Sequence, residues 1–184
     1  LRDVRLWGQQ SAAAASPASW QVQGYAHLKA VIADQRLLLE DAKFRYTQME
    51  QELPWQLLHG EAPSLARQQL IDRIRTEFVA PWLTSIYAAD EAMRDAGLAG
   101  DNPGDAMLRL KEMSQRHLQS FFAEGPIIHR AWTKPLGYPG DYGVMRHVYE
   151  QPFEGQTLFS KAMHLAGWSM ACTQGVRNRK DIMR

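Results

Sequence analysis

The chain has 184 residues, enough for one domain or one domain with a small appendage, and enough to bury a real core. Hydrophobic residues make up 45% and charged residues 22%, the balance of an ordinary soluble fold, and a net charge of +1 gives no electrostatic case for nucleic-acid or membrane binding. No apolar run nears the roughly 20 residues that cross a bilayer, and the opening residues do not read as a secretory leader.

The charge is mildly uneven: residues 1–100 carry 10 basic and 12 acidic side chains, and residues 101–184 carry 11 and 8. Cys172 is the only cysteine, which excludes an internal disulfide and points to a reducing, cytoplasmic compartment. Trp168, Met170 and Ala171 around it suggest a buried, inert thiol. The chain starts at Leu1 and stops at Arg184 within a helical pattern, so both ends read as cuts in a longer polypeptide.

Residues 1–23, rich in Ala, Ser and Gln, read as a flexible lead-in to a helical domain over 24–184. From Tyr25 to Leu53 the positions Leu28, Ile32, Gln35, Leu39, Ala42, Tyr46, Met49 and Leu53 recur in steps of four and three, the spacing of a long packed helix. Pro54 ends it. Gln35 and Ala42 weaken a coiled-coil seam and favour an intramolecular bundle.

Ser64 is a good N-cap for a second helix, in which Leu70, Ile74, Phe78, Trp82 and Ile86 form a stripe. Pro81 lies inside that run and predicts a kink or a split, and Gly97 and Gly100 supply a stop. Asn102-Pro103-Gly104-Asp105 reads as the start of a third helix, with Met107, Leu110, Met113 or Ser114, His117 and Phe121 on one face. On that face His117 reads as a hydrogen-bonded core residue. Gly125-Pro126 closes the helix. Asp141 can cap a helix through Met145 and Tyr149, and Thr157 another through Phe159, Met163, Ala166 and Met170. Gly175 breaks or bends this helix before a last basic segment, Val176 to Arg184. Nowhere does a period of two appear between hairpin turns. The fold class is all-α: a helical bundle with a structured Gly/Pro-rich loop before its C-terminal helices.

That loop is the informative stretch. Lys134 to Tyr149, KPLGYPGDYGVMRHVY, holds two prolines, three glycines, three tyrosines, a lysine and an aspartate. Gly137, Gly140 and Gly143 permit positive φ, and Pro135 and Pro139 stiffen the turns between them. Such loops, carried on rigid scaffolds, are where binding groups tend to sit, although a helix-connecting turn with aromatic packing has the same composition. Lys134, Tyr138, Asp141 and Tyr142 are its candidate site residues. Arg177, Asn178 and Arg179 form a second set, rich in donors for a carboxylate or phosphate; the alternative is a structural pairing of these arginines with Asp141 or Glu154.

Other chemistries fare poorly. The G-x-x-G-x-x-G spacing follows no strand and lacks the form of a nucleotide cradle, and no nucleophile elbow is present. Six histidines invite a metal, yet none is paired as H-x-x-x-H, and His147 with Glu150 reads as a surface pair; no metal is expected.

The run KPLGYPGDYGVMRHVYE, followed by GVRNRKDIM, resembles the segment ahead of the catalytic domain in bacterial S-adenosylmethionine-dependent methyltransferases. That group includes enzymes named for biosynthesis of 3-hydroxypalmitic acid methyl ester (extracellular factor). Lys134, Pro135, Gly137, Tyr138, Gly140, Asp141, Tyr142, Met145, Tyr149, Leu158, Phe159, Val176, Arg177, Asn178 and Arg179 carry the likeness. Gly175 stands where alanine is more usual, and Val144-Met145 where two methionines are. The likeness covers about the last third of the chain. It implies a helical substrate-side or lid domain preceding a Rossmann-like methyltransferase domain, its partner within the same polypeptide. That partner would bind S-adenosylmethionine, and the acceptor would be a fatty-acid-like carboxylate held by Lys134, Arg177 or Arg179. On this reading the segment alone has no turnover. Two readings compete with it: a non-catalytic interaction or sensory module, dimerising through the Tyr25–Leu53 helix, and a self-sufficient small-ligand enzyme resting on the loop alone.

Overall fold

A computed structural model describes residues 19–60, 64–95 and 104–182, and among them every regular element is helical. The lead-in as far as residue 18, the glycine stop at 97 and 100 and the cap at Asn102 lie outside the described residues.

Helix α1, Ser19–Glu52, has 34 residues and is therefore roughly 50 Å long. It starts earlier than the periodicity implies: Gly24 costs only about 1 kcal/mol inside a helix, and α1 runs through it. The predicted stripe is the buried face. Leu28, Ile32, Gln35, Leu39, Ala42 and Tyr46 are all covered, while Met49 and Leu53 pack at its edge. Gln35 is tolerated there because its amide donates to the Ser85 carbonyl at 3.0 Å, so burial leaves no donor unpaired. Burial pushes the Tyr46 hydroxyl up to about 12.

After Pro54 comes a short helix α2, Trp55–His59. Arg67 ties it down by donating to the carbonyls of Leu57 and Gln56, each at 3.1 Å, and of Gly60. Arg67 belongs to α3, Leu65–Ile74, whose first turn is capped by Ser64 as the sequence predicts.

The chain does not split at Pro81. Instead a π-helical turn, Arg75–Val79, joins α3 to α4, Ala80–Asp95. Pro81 has no N–H, and its ring would strike the carbonyl four residues back in a regular ladder. Widening the preceding turn, with the Ala80 N–H reaching Arg75, absorbs this and buries both Phe78 and Val79.

Helix α5, Gly104–Phe122, buries Leu110 and Leu118. His117 is not a core residue: it sits at the edge, where its Nδ1 is 3.1 Å from the Arg36 guanidinium. Three further helices complete this part of the chain: α6, Pro126–Thr133; α7, Tyr142–Glu150; and α8, Leu158–Ser169. Thr157 caps α8, accepting from the Ser160 N–H at 3.0 Å. The break predicted at Gly175 falls instead at Met170, whose extended backbone separates α8 from α9, Ala171–Ile182. Past that corner Cys172 faces outward, so the thiol is exposed rather than buried.

α8 is the centre of the fold. α1, the π turn, α6 and α9 all pack on it, and every residue from Leu158 to Trp168 is buried. A chain of rings locks it in place: Tyr46 meets Phe78 at 6.0 Å, and Phe159 meets both Phe78 and Phe121 at 6.3 Å. Gly167 lets α6 approach closely, since a Cβ there would stand 2.6 Å from Ile127. No helix of the described residues is long and apolar enough to cross a membrane.

Candidate functional site

The loop between α6 and α7 is a braced turn. Lys134 closes α6 in the left-handed region at φ 49°, its N–H bonded to the Arg130 carbonyl at 3.0 Å. Gly137 takes φ 87° and donates to the Lys134 carbonyl at 2.7 Å, a conformation that favours glycine. Of the three loop glycines, only this one uses positive φ.

Asp141 holds the far side. Its Oδ1 caps α7, accepting from the Val144 N–H at 3.0 Å, and also accepts from Arg130 Nε at 2.7 Å. The Arg130 hydrogen bond holds the Asp141 carboxyl below the usual carboxylate range; burial opposes this, and the Val144 N–H assists it. The same bond raises the Arg130 guanidinium further above its already high value. Gly143 has its own task here. A Cβ at 143 would lie 2.2 Å from Arg130 Nε, so only glycine lets the guanidinium cross the first turn of α7.

The candidates on the loop therefore divide. Asp141 is fully buried and acts as an internal strut, not as part of a binding mouth. Lys134 is exposed, and so are Leu136, Tyr138 and Tyr142, the last at 76%.

The second motif divides too. Arg177 is half-buried and donates to the Trp168 carbonyl at 2.8 Å and to Gln174. With its amide oxygen turned inward, Gln151 accepts from Arg177 Nη1 at 2.8 Å and Nε at 2.9 Å. Arg177 thus joins the C-terminal end of α7 to the α8–α9 corner. It pairs with neither Asp141 nor Glu154, the acids proposed from sequence. Burial lowers its affinity for the proton somewhat. Asn178 accepts from Gln174 at 3.0 Å on the surface, and Arg179 is exposed. The link between the two motifs is helix against helix, α7 on α9, with Gln151 and Arg177 as its polar contact.

Sequence reasoning missed a buried polar cluster behind the loop. His147 and His164 meet edge-to-face, with ring centres 4.9 Å apart. His147 Nε2 is 3.2 Å from Glu154, while Glu150 pairs with Arg146, so His147 and Glu150 do not act together as a candidate metal pair would. Burial lowers the His147 value, with Glu154 pulling the other way. Burial, then the neighbouring His147, pushes His164 down to about 3. Lys161, also buried, is lowered by desolvation and then by Arg67, and reaches the Phe153 carbonyl at 3.5 Å and the Phe153 ring, 5.4 Å from its centre. The one signal for this cluster was the near-continuous apolar run of α8 in which His164 and Lys161 are embedded. Among the described residues no group of three His, Cys, Asp or Glu side chains is arranged to hold a metal.

Two surface clefts flank α6. One, of about 380 Å³, lies where α6 and α8 begin, between Glu124, His129, Thr157 and Ser160. The other, of about 250 Å³, is an apolar groove of Phe122, Ile128 and Trp132 rimmed by Lys111 and Gln115. Neither is lined by the loop candidates. Comparison with family models, with curated proteins and with solved structures gave no match.

Proposed function

We propose that this chain is the helical substrate-side domain of an S-adenosylmethionine-dependent methyltransferase, and that its loop 134–142 meets the methyl acceptor, a fatty-acid-like carboxylate. The observation that carries this reading is the opposed placement of the motif's charges and rings. Asp141 is spent inside, on Arg130 and the α7 cap, so that Lys134, Tyr138 and Tyr142 stand outward on a fixed backbone. Apolar rings held in water by a rigid frame suit a surface that something else covers. Lys134 supplies the cation for a carboxylate and the tyrosines supply walls.

The cofactor does not belong to these residues. Gly137 serves a turn, Gly143 admits Arg130, and no strand leads into this loop, all of which argues against a phosphate or ribose cradle at its glycines. The neighbouring catalytic domain would bind S-adenosylmethionine, which supplies the methyl group. An ionised acid is already the nucleophile, and what this domain contributes is orientation.

The test is methyl transfer to a panel of long-chain acids by the complete reading frame that holds this chain. Lys134→Met and Tyr138→Ala should each raise KM at least about tenfold, the scale of one lost anchoring contact. A wild-type protein that methylates no carboxylic acid, or kinetics indifferent to both changes, overturns the reading. The competing interaction-module reading would need another face of α1, since α4, α5 and α8 cover its apolar stripe. Only Leu37 and Phe44 remain as its exposed large apolar groups over 26–52. Light scattering of a Leu37→Glu, Phe44→Glu double variant settles whether that outer face pairs.

A further inference from the structure

We propose that His164 is an acid-released latch on α6, and that releasing it frees the strut that braces the 134–141 loop. Helix α6 has an unusual start. Its N-cap is Gly125, which has no side chain to offer, and its first residue, Pro126, has no N–H. The first amide in need of a partner is that of Ile127, and it donates to His164 Nδ1 at 3.2 Å from across the bundle. A core histidine therefore does the work of a helix cap.

That cap depends on protonation. Nδ1 accepts only while the ring is neutral with its proton on Nε2. Add a proton and two N–H groups point at each other. His164 has no exposed surface, and its Nε2 has no hydrogen-bond partner. Its surroundings do not welcome charge. Lys161 stands on its own helix and His147 and Arg146 on α7, while Arg130 of α6 acts on His147 beside it. The nearby acids are engaged elsewhere. Glu154, from the 151–157 linker, pairs with His147 at 3.2 Å and Arg146 at 3.4 Å, and Glu50 of α1 accepts from the Leu158 N–H at 2.9 Å. Further along α8, Arg75 from the π turn and Arg177 from α9 add positive charge at Trp168.

The proton is thus taken up by the opened form, whose imidazole is free to titrate near its ordinary value. Burial holds the closed form's His164 down to about 3, so the latch is intact above the ordinary value and weakens as pH falls toward the lower one. Between neutrality and about pH 5 the opened population should rise about thirty-fold. α6 carries Arg130, and with α6 loosened the clamp on Asp141 goes too, leaving Lys134, Tyr138 and Tyr142 without a fixed frame.

Amide hydrogen exchange tests this, comparing protection factors near pH 7 and near about pH 5 with the intrinsic rates removed. Wild-type protein should lose at least about tenfold protection over 126–141, and that stretch should exchange faster than 28–46 in α1 at both pH values. His164→Asn keeps a carbonyl oxygen close to the Nδ1 position and cannot titrate, so it should flatten the pH dependence at 126–141. Protection over 126–141 equal to that over 28–46 at both pH values means that α6 opens only with the whole protein and overturns the latch, whether or not the variant folds. An unchanged pH dependence in His164→Asn places the proton elsewhere and overturns it as well.

Discussion

Helix α8 and the loop before α7 sort their side chains in opposite senses. α8 draws Ser160, Lys161 and His164 into the core, whereas the loop leaves Leu136, Tyr138 and Tyr142 in water. In both places the backbone decides. α8 is packed from several sides, so its polar groups either find partners, as Ser160 does on the Glu124 carbonyl at 2.6 Å, or stay neutral, as His164 does. On the loop the strut between Arg130 and Asp141 is internal, which turns the remaining side chains outward. The contrast separates where stability is invested from where recognition is offered. Substitutions in the first region should unfold the protein, and those in the second should leave it folded.

The largest effect belongs to Phe159→Ala. The ring is 1% exposed and stands between Phe78 and Phe121, so its removal opens a cavity that helices fixed on several sides cannot collapse. Urea unfolding should show a loss of about 3–5 kcal/mol. A loss below about 1 kcal/mol would mean that α8 is not the centre of the core.

Next comes acid. A histidine whose folded value lies below its unfolded one stabilises fully above the unfolded value and progressively less as pH falls toward the folded one. For His164 the window runs from its ordinary value down to about 3. The slope is roughly 1.4 kcal/mol per pH unit for one group, so urea midpoints should report a loss of about 2 kcal/mol by about pH 5. A flat profile across that window would show the imidazole to be solvated.

Much of this was legible in the residues. The steps of three and four through Leu28, Leu39 and Tyr46 gave the face of α1, because one flank of a helix is all that periodicity encodes. Ser64, Asp141 and Thr157 announced their caps, because capping is a local reaction between a side chain and the next turn. The all-helical class came from the same two signals. The hidden features depend on contacts between distant residues. The stripe Phe159, Met163, Ala166 marks one face of α8, yet all faces are covered, and that is decided by α1, α6, α9 and the π turn. His117 looked internal by spacing, and Leu118 next to it took the place. Arg130 is eleven residues from Asp141 in sequence, and their pairing needs the loop to close first. Pro81 predicted a kink or a split, and a π turn settles the clash without a split because Phe78 and Val79 both gain burial.

A smaller effect falls on the boundary between the regions. Thr157→Ala removes the side chain that accepts the Ser160 N–H at the start of α8. The loss should be about 1 kcal/mol by denaturant titration, since Glu50 still accepts from the Leu158 N–H at 2.9 Å and keeps part of the first turn satisfied. A loss of about 3 kcal/mol or more would show that the helix start, rather than its buried aromatic face, organises the core.

Tyr142→Ala should do least to stability, and for that reason it bears most directly on the loop. The residue is the first of α7 and is 76% exposed, so its ring contributes little to burial. Alanine is also the better helix former by a few tenths of a kcal/mol. The two terms nearly cancel, and the midpoint should move by less than about 0.5 kcal/mol. Hydrogen exchange over 134–141 should stay as protected as in the wild type, because the Arg130–Asp141 strut and the Val144 cap do not involve this ring. An unchanged fold paired with a lost ability to engage the acceptor would assign the ring to recognition. A drop of more than about 1 kcal/mol would instead show that the ring packs against the body, and the contrast between a stabilising core helix and an outward-facing loop would fail at the residue where it is drawn most sharply.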